Sequence, residues 1–189
     1  MFFFSQDNTF NFEPISVESA YLAILHNDLA SAKDIFSKID SPRSSWGLFL
    51  VENLSGYVQK FPTYFEIRNF LEIDLDFLLK NNKIDYVQLI LGMTDLLAKI
   101  NQETYKYLAR VMYENQFYKT TKEYLEKSKD VLYNDPELHF MLAKYHYKNN
   151  KYSSALLNIK ECLRILPDYY PAKIFHAEII KTFGLDKVF

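Results

Sequence analysis

Residues 136–167 read PELHFMLAKYHYKNNKYSSALLNIKECLRILP, two helix-length stretches on either side of the polar turn KNNKY at 148–152. Two related turns occur upstream, KNNKI at 80–84 and ENQFY at 114–118, and the three place Asn81, Asn115 and Asn149 34 residues apart. Neighbouring residues keep the same register. Leu108 matches Leu142, Ala109 matches Ala143 and Ala177, and Tyr118 matches Tyr152. A fixed period of this length is the mark of stacked helical hairpins. Asparagine tolerates left-handed backbone better than other non-glycine residues, so it suits the reversal between two helices.

Within 136–167, Leu142-Ala143, Tyr152, Ala155, Ile159, Cys162 and Pro167 fall at the signature positions of the tetratricopeptide repeat, a family this stretch resembles. Small residues at 143, 155 and 162 let two helices approach closely while larger ones fill the groove between them. The positions of Ala155 and Cys162 are held by Thr121 and Ser128 in 102–135, and by Val87 and Thr94 in 68–101. The segment SVESAYLAILHNDLASAKDIFSKIDSP matches as well, through Ala20, Leu29, Ala32, Phe36 and a closing Pro42. Between 43 and 67 the period lapses, and SSWGLFLVENLSGYVQKF reads as one amphipathic helix ending before Pro62, unpaired and irregular in packing. The expected fold is therefore an all-α solenoid forming a single domain over 1–189. Its parts are an aromatic N-terminal arm (1–15), a first hairpin (13–42), an irregular helix (43–67), repeats at 68–101, 102–135 and 136–169, and a capping helix (170–189). The resemblance implies a right-handed superhelix whose concave face is lined by the first helix of each hairpin and holds peptides.

Composition agrees with this class. Only 4 Gly and 6 Pro punctuate 189 residues, too few for the many turns of a sandwich or barrel. A 49% apolar content and a 17% aromatic share supply ample buried area for helix-on-helix packing. Net charge is −2, divided as 8 Lys/Arg against 13 Asp/Glu over 1–100 and 14 against 11 over 101–189. That is polarity rather than the basic surplus of a nucleic-acid binder. The lone Cys162 cannot form an internal disulfide, and no apolar run approaches the roughly 18 residues of a membrane span, so a reducing cytoplasm is the expected location. Phe2, Phe3, Phe4, Phe10 and Phe12 make the arm too apolar to be left in water. Two roles are open to it: covering the first hairpin, or docking onto a partner or a second copy.

Mapped through the resemblance, the groove-facing positions form a polar gradient. Glu72 and Asp76 make one end acidic, while Lys106, Arg110, Lys144 and Lys148, interleaved with Tyr113, Phe140 and Tyr147, make the other basic and aromatic. Such a groove suits a peptide carrying acidic residues or a free carboxylate. Asp76 stands where family members that clamp chaperone C-termini have asparagine, which argues against that particular partner. The alternative for all of these charges is an ordinary solvated helix face, and the same holds for the acidic run Glu72, Asp74 and Asp76.

No nucleophile elbow, phosphate-cradling glycine loop or HExxH occurs, so no catalytic residue, cofactor site or metal site is expected. His139 and His146 lie two helical turns apart, about 10 Å, too far to share one ion. The expected function is a protein-binding adaptor or chaperone-like scaffold. The alternatives are a helical-repeat RNA binder, which would need basic residues in every repeat, and a regulatory subunit of an enzyme assembly.

Overall fold

The computed structural model describes residues 15–57 and 61–183, and every regular element among them is helical. The Phe-rich stretch at the start of the arm lies outside the described residues. Where the sequence points to one domain, the chain divides into two compact units, 1–61 and 62–189.

The first unit holds α1 (Val17–Leu25), α2 (Leu29–Ser37) and α3 (Pro42–Leu54). Local chemistry sets each start. Ser16 and Ser19 exchange side-chain and backbone hydrogen bonds at the head of α1, and Ser41 and Ser44 repeat the arrangement at α3, which opens on Pro42. Asp28 caps α2 by accepting from Ser31 N–H at 3.0 Å. The expected hairpin at 13–42 is thus formed by α1 and α2, but α3 departs from expectation twice. It packs on both α1 and α2 rather than standing unpaired, and buries Leu50 and Val51 completely. It also ends at Leu54, well before Pro62. Gly56 takes φ +73° there, its N–H donates to Asn53 O at 3.0 Å, and Tyr57 N–H donates to Glu52 O at 2.9 Å. That pair of bonds is a Schellman stop, available to glycine without steric cost.

The second unit begins with α4 (Tyr64–Asn69), a π-helical segment (Phe70–Leu75) and α5 (Asp76–Lys80), running end to end. Asp74, expected on a solvated face, is fully buried in the π segment. There follow α6 (Ile84–Gly92), α7 (Thr94–Ile100), α8 (Thr104–Glu114), α9 (Tyr118–Lys129), α10 (Pro136–Lys148), α11 (Tyr152–Ile165) and α12 (Tyr170–Phe183). The helices that follow the three turns start at Ile84, Tyr118 and Tyr152, which keeps the 34-residue period in three dimensions. Neighbours in the chain are neighbours in space: α8 packs on α9, α10 on α11, α11 on α12, and α10 also touches α8 and α9.

At each of the three turns the left-handed residue is the one after the asparagine singled out in the sequence. Asn82, Gln116 and Asn150 have φ of 55°, 66° and 58°. Asn81, Asn115 and Asn149 instead close the preceding helix, each donating its side-chain amide to the carbonyl four residues back, at 2.8, 2.9 and 2.7 Å. Gln116 is the poorest fit of the three to left-handed backbone. Gln116→Gly is therefore expected to stabilise the protein by about 1 kcal/mol, which urea denaturation would register as a higher midpoint at unchanged slope.

The small residues of the repeat serve the close approach. Val87, Thr121 and Ala155 are all buried, as are Thr94, Ser128 and Cys162. Ala109 and Ala143 have no exposed surface, whereas Ala177 at the same register on α12 is exposed. One local departure breaks the pattern. The helix matching α9 and α11 is divided at Met93 into α6 and α7, just after Gly92, the weakest helix former in the stretch.

Candidate functional site

The groove positions lie in the second unit, and the structure separates them into two groups. The first is an internal ion network. Lys106 on α8 is only 3% exposed, and its Nζ lies 2.6 Å from Asp135, 3.1 Å from Glu137 and 3.3 Å from Glu103. Its carboxylate partners, Asp135 first, hold its pKa above the usual lysine value against the opposing effect of burial. Lys106 is thus no free groove cation; it fastens α8 to the head of α10. Asp135 acts at both ends of that fastening. Its other oxygen accepts from Glu137 N–H at 2.7 Å and Leu138 N–H at 3.0 Å, capping α10.

Arg110, one turn further along α8, pairs with Glu72 of the π segment and with Glu137 of α10. Glu72 also accepts from Arg68 Nε at 2.9 Å. Asp76 is bound by Lys80 at 2.5 Å and by the Asn115 side chain at 2.8 Å. The acidic end and half of the basic end of the expected gradient are therefore neutralised inside the fold: Glu72 by Arg110, Asp76 by Lys80, and Lys106 by Asp135, Glu137 and Glu103. Asn101, 34 residues before Asp135, plays a comparable part: its oxygen accepts from Glu103 N–H at 2.8 Å and its amide donates to Tyr64 O at 2.9 Å.

The second group surrounds a cleft of about 210 Å³ between α8, α10 and the turn before α12. Arg110, Tyr113, Phe140 and Lys144 line it, all four expected from the sequence, together with Met141 and Tyr169. Phe140 is held edge-on by Tyr169 and Phe175, at centroid distances of 5.4 and 5.9 Å. Lys144 Nζ lies 5.2 Å from the Tyr113 ring centre and 5.8 Å from that of Phe140, and among the described residues no carboxylate lies within ion-pair distance of it. Arg110 is matched by Glu72 and Glu137, which leaves Lys144 as the lining cation outside any ion pair among the described residues, with the Glu114 carboxylate also on the wall. Lys148 sits just outside, over the Tyr118 ring at 5.9 Å, and Tyr147 packs on Tyr152 and Phe175. Glu137 is groove-facing by register as well, whereas Tyr169 is a ring of the cleft that the sequence reading does not bring forward. Tyr169 belongs to the turn LPDYYP, where register gives no orientation, but the aromatic pair after Pro167 was a visible signal.

Among the described residues no group of three metal-ligating side chains converges, and no helix is long and apolar enough to cross a membrane. Burial pushes the Cys162 thiol up to about 11, so it is protonated at neutral pH and a poor nucleophile. His146 and His176 each keep one buried ring nitrogen without a hydrogen-bond partner. Burial is the first cause lowering both below the usual histidine value. Lys151 and Lys129 add to it at His146, opposed by Glu126, and Lys160 adds to it at His176. Groups held neutral in the fold stabilise it fully above about pH 6.5, and that stability is lost as pH falls through the unfolded histidine value. The urea midpoint is expected to drop between pH 7 and pH 5, and to drop less in His146→Leu/His176→Leu.

No protein-family model matches this chain, and no curated protein matches it.

Proposed function

We propose that this protein is a non-enzymatic interaction module, an adaptor or chaperone-like scaffold of the tetratricopeptide type acting in the cytoplasm. Its partner is a protein segment, and the contact face is the α8–α10 surface around the cleft. In this reading the stacked hairpins continue as a right-handed superhelix with that face on the inside. One observation carries the reading: Lys144 lies over two rings at a cleft, unmatched by any carboxylate among the described residues, while Lys106 and Arg110 are tied into the scaffold. A cation held by aromatic rings at a concave, partly apolar surface is well prepared for a partner that brings its own anion and its own apolar side chain. The 34-residue recurrence of turns and helix starts supports the family reading.

The test is capture from native lysate with wild type and Lys144→Glu. Lys144 is partly exposed and makes no ion pair among the described residues, so the variant is expected to keep its helical circular dichroism while losing the captured partners. Retention of every partner by a folded Lys144→Glu protein would remove the cleft from the function.

A further inference from the structure

The cleft's dimensions and lining specify more than a protein partner. At about 210 Å³ it falls below the roughly 300–1,000 Å³ of pockets for drug-sized ligands. That leaves room for about one large side chain or a group of similar size. Its walls ask for two things at once. Tyr113, Phe140 and Tyr169 offer ring faces and edges, with Met141 beside them, the surroundings in which another aromatic ring gains most from offset or edge-on contact. Lys144 offers one unmatched positive charge at the same place. Because Arg110 is matched by Glu72 and Glu137, and Glu114 adds a carboxylate to the wall, the cleft does not attract polyanions in general and has room for no more than one anionic group, at Lys144. The lining suits one ring next to one carboxylate.

That combination is present in this chain. Residues 1–14 read MFFFSQDNTFNFEP, in which Phe12 is followed directly by Glu13 and Phe10 lies two positions earlier. An extended segment with rings at 10 and 12 presents both on one side, so a second ring can follow the first onto the exposed rim. Apolar side chains this dense gain by leaving water. We infer that the Phe10–Glu13 stretch of a second copy of this chain docks in the cleft, with the Phe12 ring between Phe140, Tyr113 and Tyr169 and the Glu13 carboxylate on Lys144. The inference rests on the proposed interaction face and assigns it an occupant. A contact of four residues buries little area against the cost of association, so the association is a weak one, tuned by concentration and displaceable by a stronger partner segment of the same chemistry.

The experiment is a charge swap in the full-length chain, with self-association followed by sedimentation velocity from micromolar to millimolar concentration. Wild type is expected to shift from monomer toward larger species as concentration rises. Glu13→Lys and Lys144→Glu are each expected to weaken that shift by roughly tenfold, and Phe12→Ser to remove it. The double variant Glu13→Lys/Lys144→Glu, which restores opposite charges, is expected to recover most of the association, the coupling that a direct pair requires. Circular dichroism on every variant confirms that the helices are intact. A wild type that stays monomeric throughout, or a double variant no better than either single one, overturns the assignment. If partner capture from lysate still depends on Lys144 in that case, the occupant is wrong and the interaction face stands; if neither result depends on Lys144, both fall together.

Discussion

Lys106→Met is expected to lower the stability of the protein by about 3 kcal/mol, the scale seen when one partner of a buried ion pair is removed and the other is left uncompensated. The large effect follows from geometry. Lys106 is 3% exposed and reaches Asp135, Glu137 and Glu103 within 3.3 Å, so its loss leaves three carboxylates facing one another between α8 and α10. Methionine fills much the same space, which confines the change to charge and hydrogen bonding. Denaturation followed by circular dichroism should show a lower urea midpoint. Adding Asp135→Asn should return part of the loss, because asparagine still caps α10 while one unneutralised charge disappears. If Lys106→Met were as stable as wild type, the network would be ornament and Lys106 could be returned to the groove.

Gly47→Ala is the second large effect, and its sign runs against propensity. Alanine in mid-helix ordinarily gains about 1 kcal/mol over glycine. At position 47, however, an added Cβ would fall well inside 3.0 Å of three carbons of the Phe36 ring. Phe36 has no exposed surface and is held edge-on to Tyr21 at a centroid distance of 5.3 Å, so the ring has little freedom to withdraw. The expected outcome is a loss of about 2 kcal/mol. Trp46, the chain's one tryptophan, sits on α3 beside the substitution, and its fluorescence follows the first unit through the transition. Phe36→Leu in the Gly47→Ala background should cost less than Phe36→Leu alone, because the shorter side chain makes room for the new methyl.

The helical repeat was legible because its determinants are local and recur. Helix starts 34 apart, the buried small residues at 121, 128, 155 and 162, and the polar turns can all be found in the sequence by register. The one-residue error at the turns has a local cause too. Asparagine occupies both the helix-closing and the left-handed position in KNN, and in the middle copy the left-handed position holds Gln116, so the asparagine that recurs in all three copies is the helix-closing one. Where α3 ends is a case of a stop signal outweighed in the reading by Pro62, although Gly56 marked it. The split at Met93 was marked by Gly92, whereas the π segment at Phe70–Leu75 had no comparable signal, since it depends on how successive helices settle on one another.

The site was half legible. Register places Lys106, Arg110 and Lys144 on related faces of first helices, but says nothing of which charges meet. The pairs that neutralise Lys106 and Arg110 span 29, 27 and 38 residues, near one repeat length, and a search for opposite charges at that separation would have found them. Lys144 escapes the network because the positions 38 before and 27 after it, which for the register-equivalent Arg110 hold Glu72 and Glu137, hold Lys106 and Pro171.

The central claim is that partners meet the face around the cleft and not the opposite surface of the hairpins. Photo-crosslinking tests it most directly, with a benzoylphenylalanine placed at exposed Lys148, beside the cleft, and compared with one at exposed Lys122 on α9. Specific adducts at position 148 that disappear with Lys144→Glu, and none at 122, are the result expected. Adducts at 122 alone, or at 148 regardless of Lys144, would contradict it.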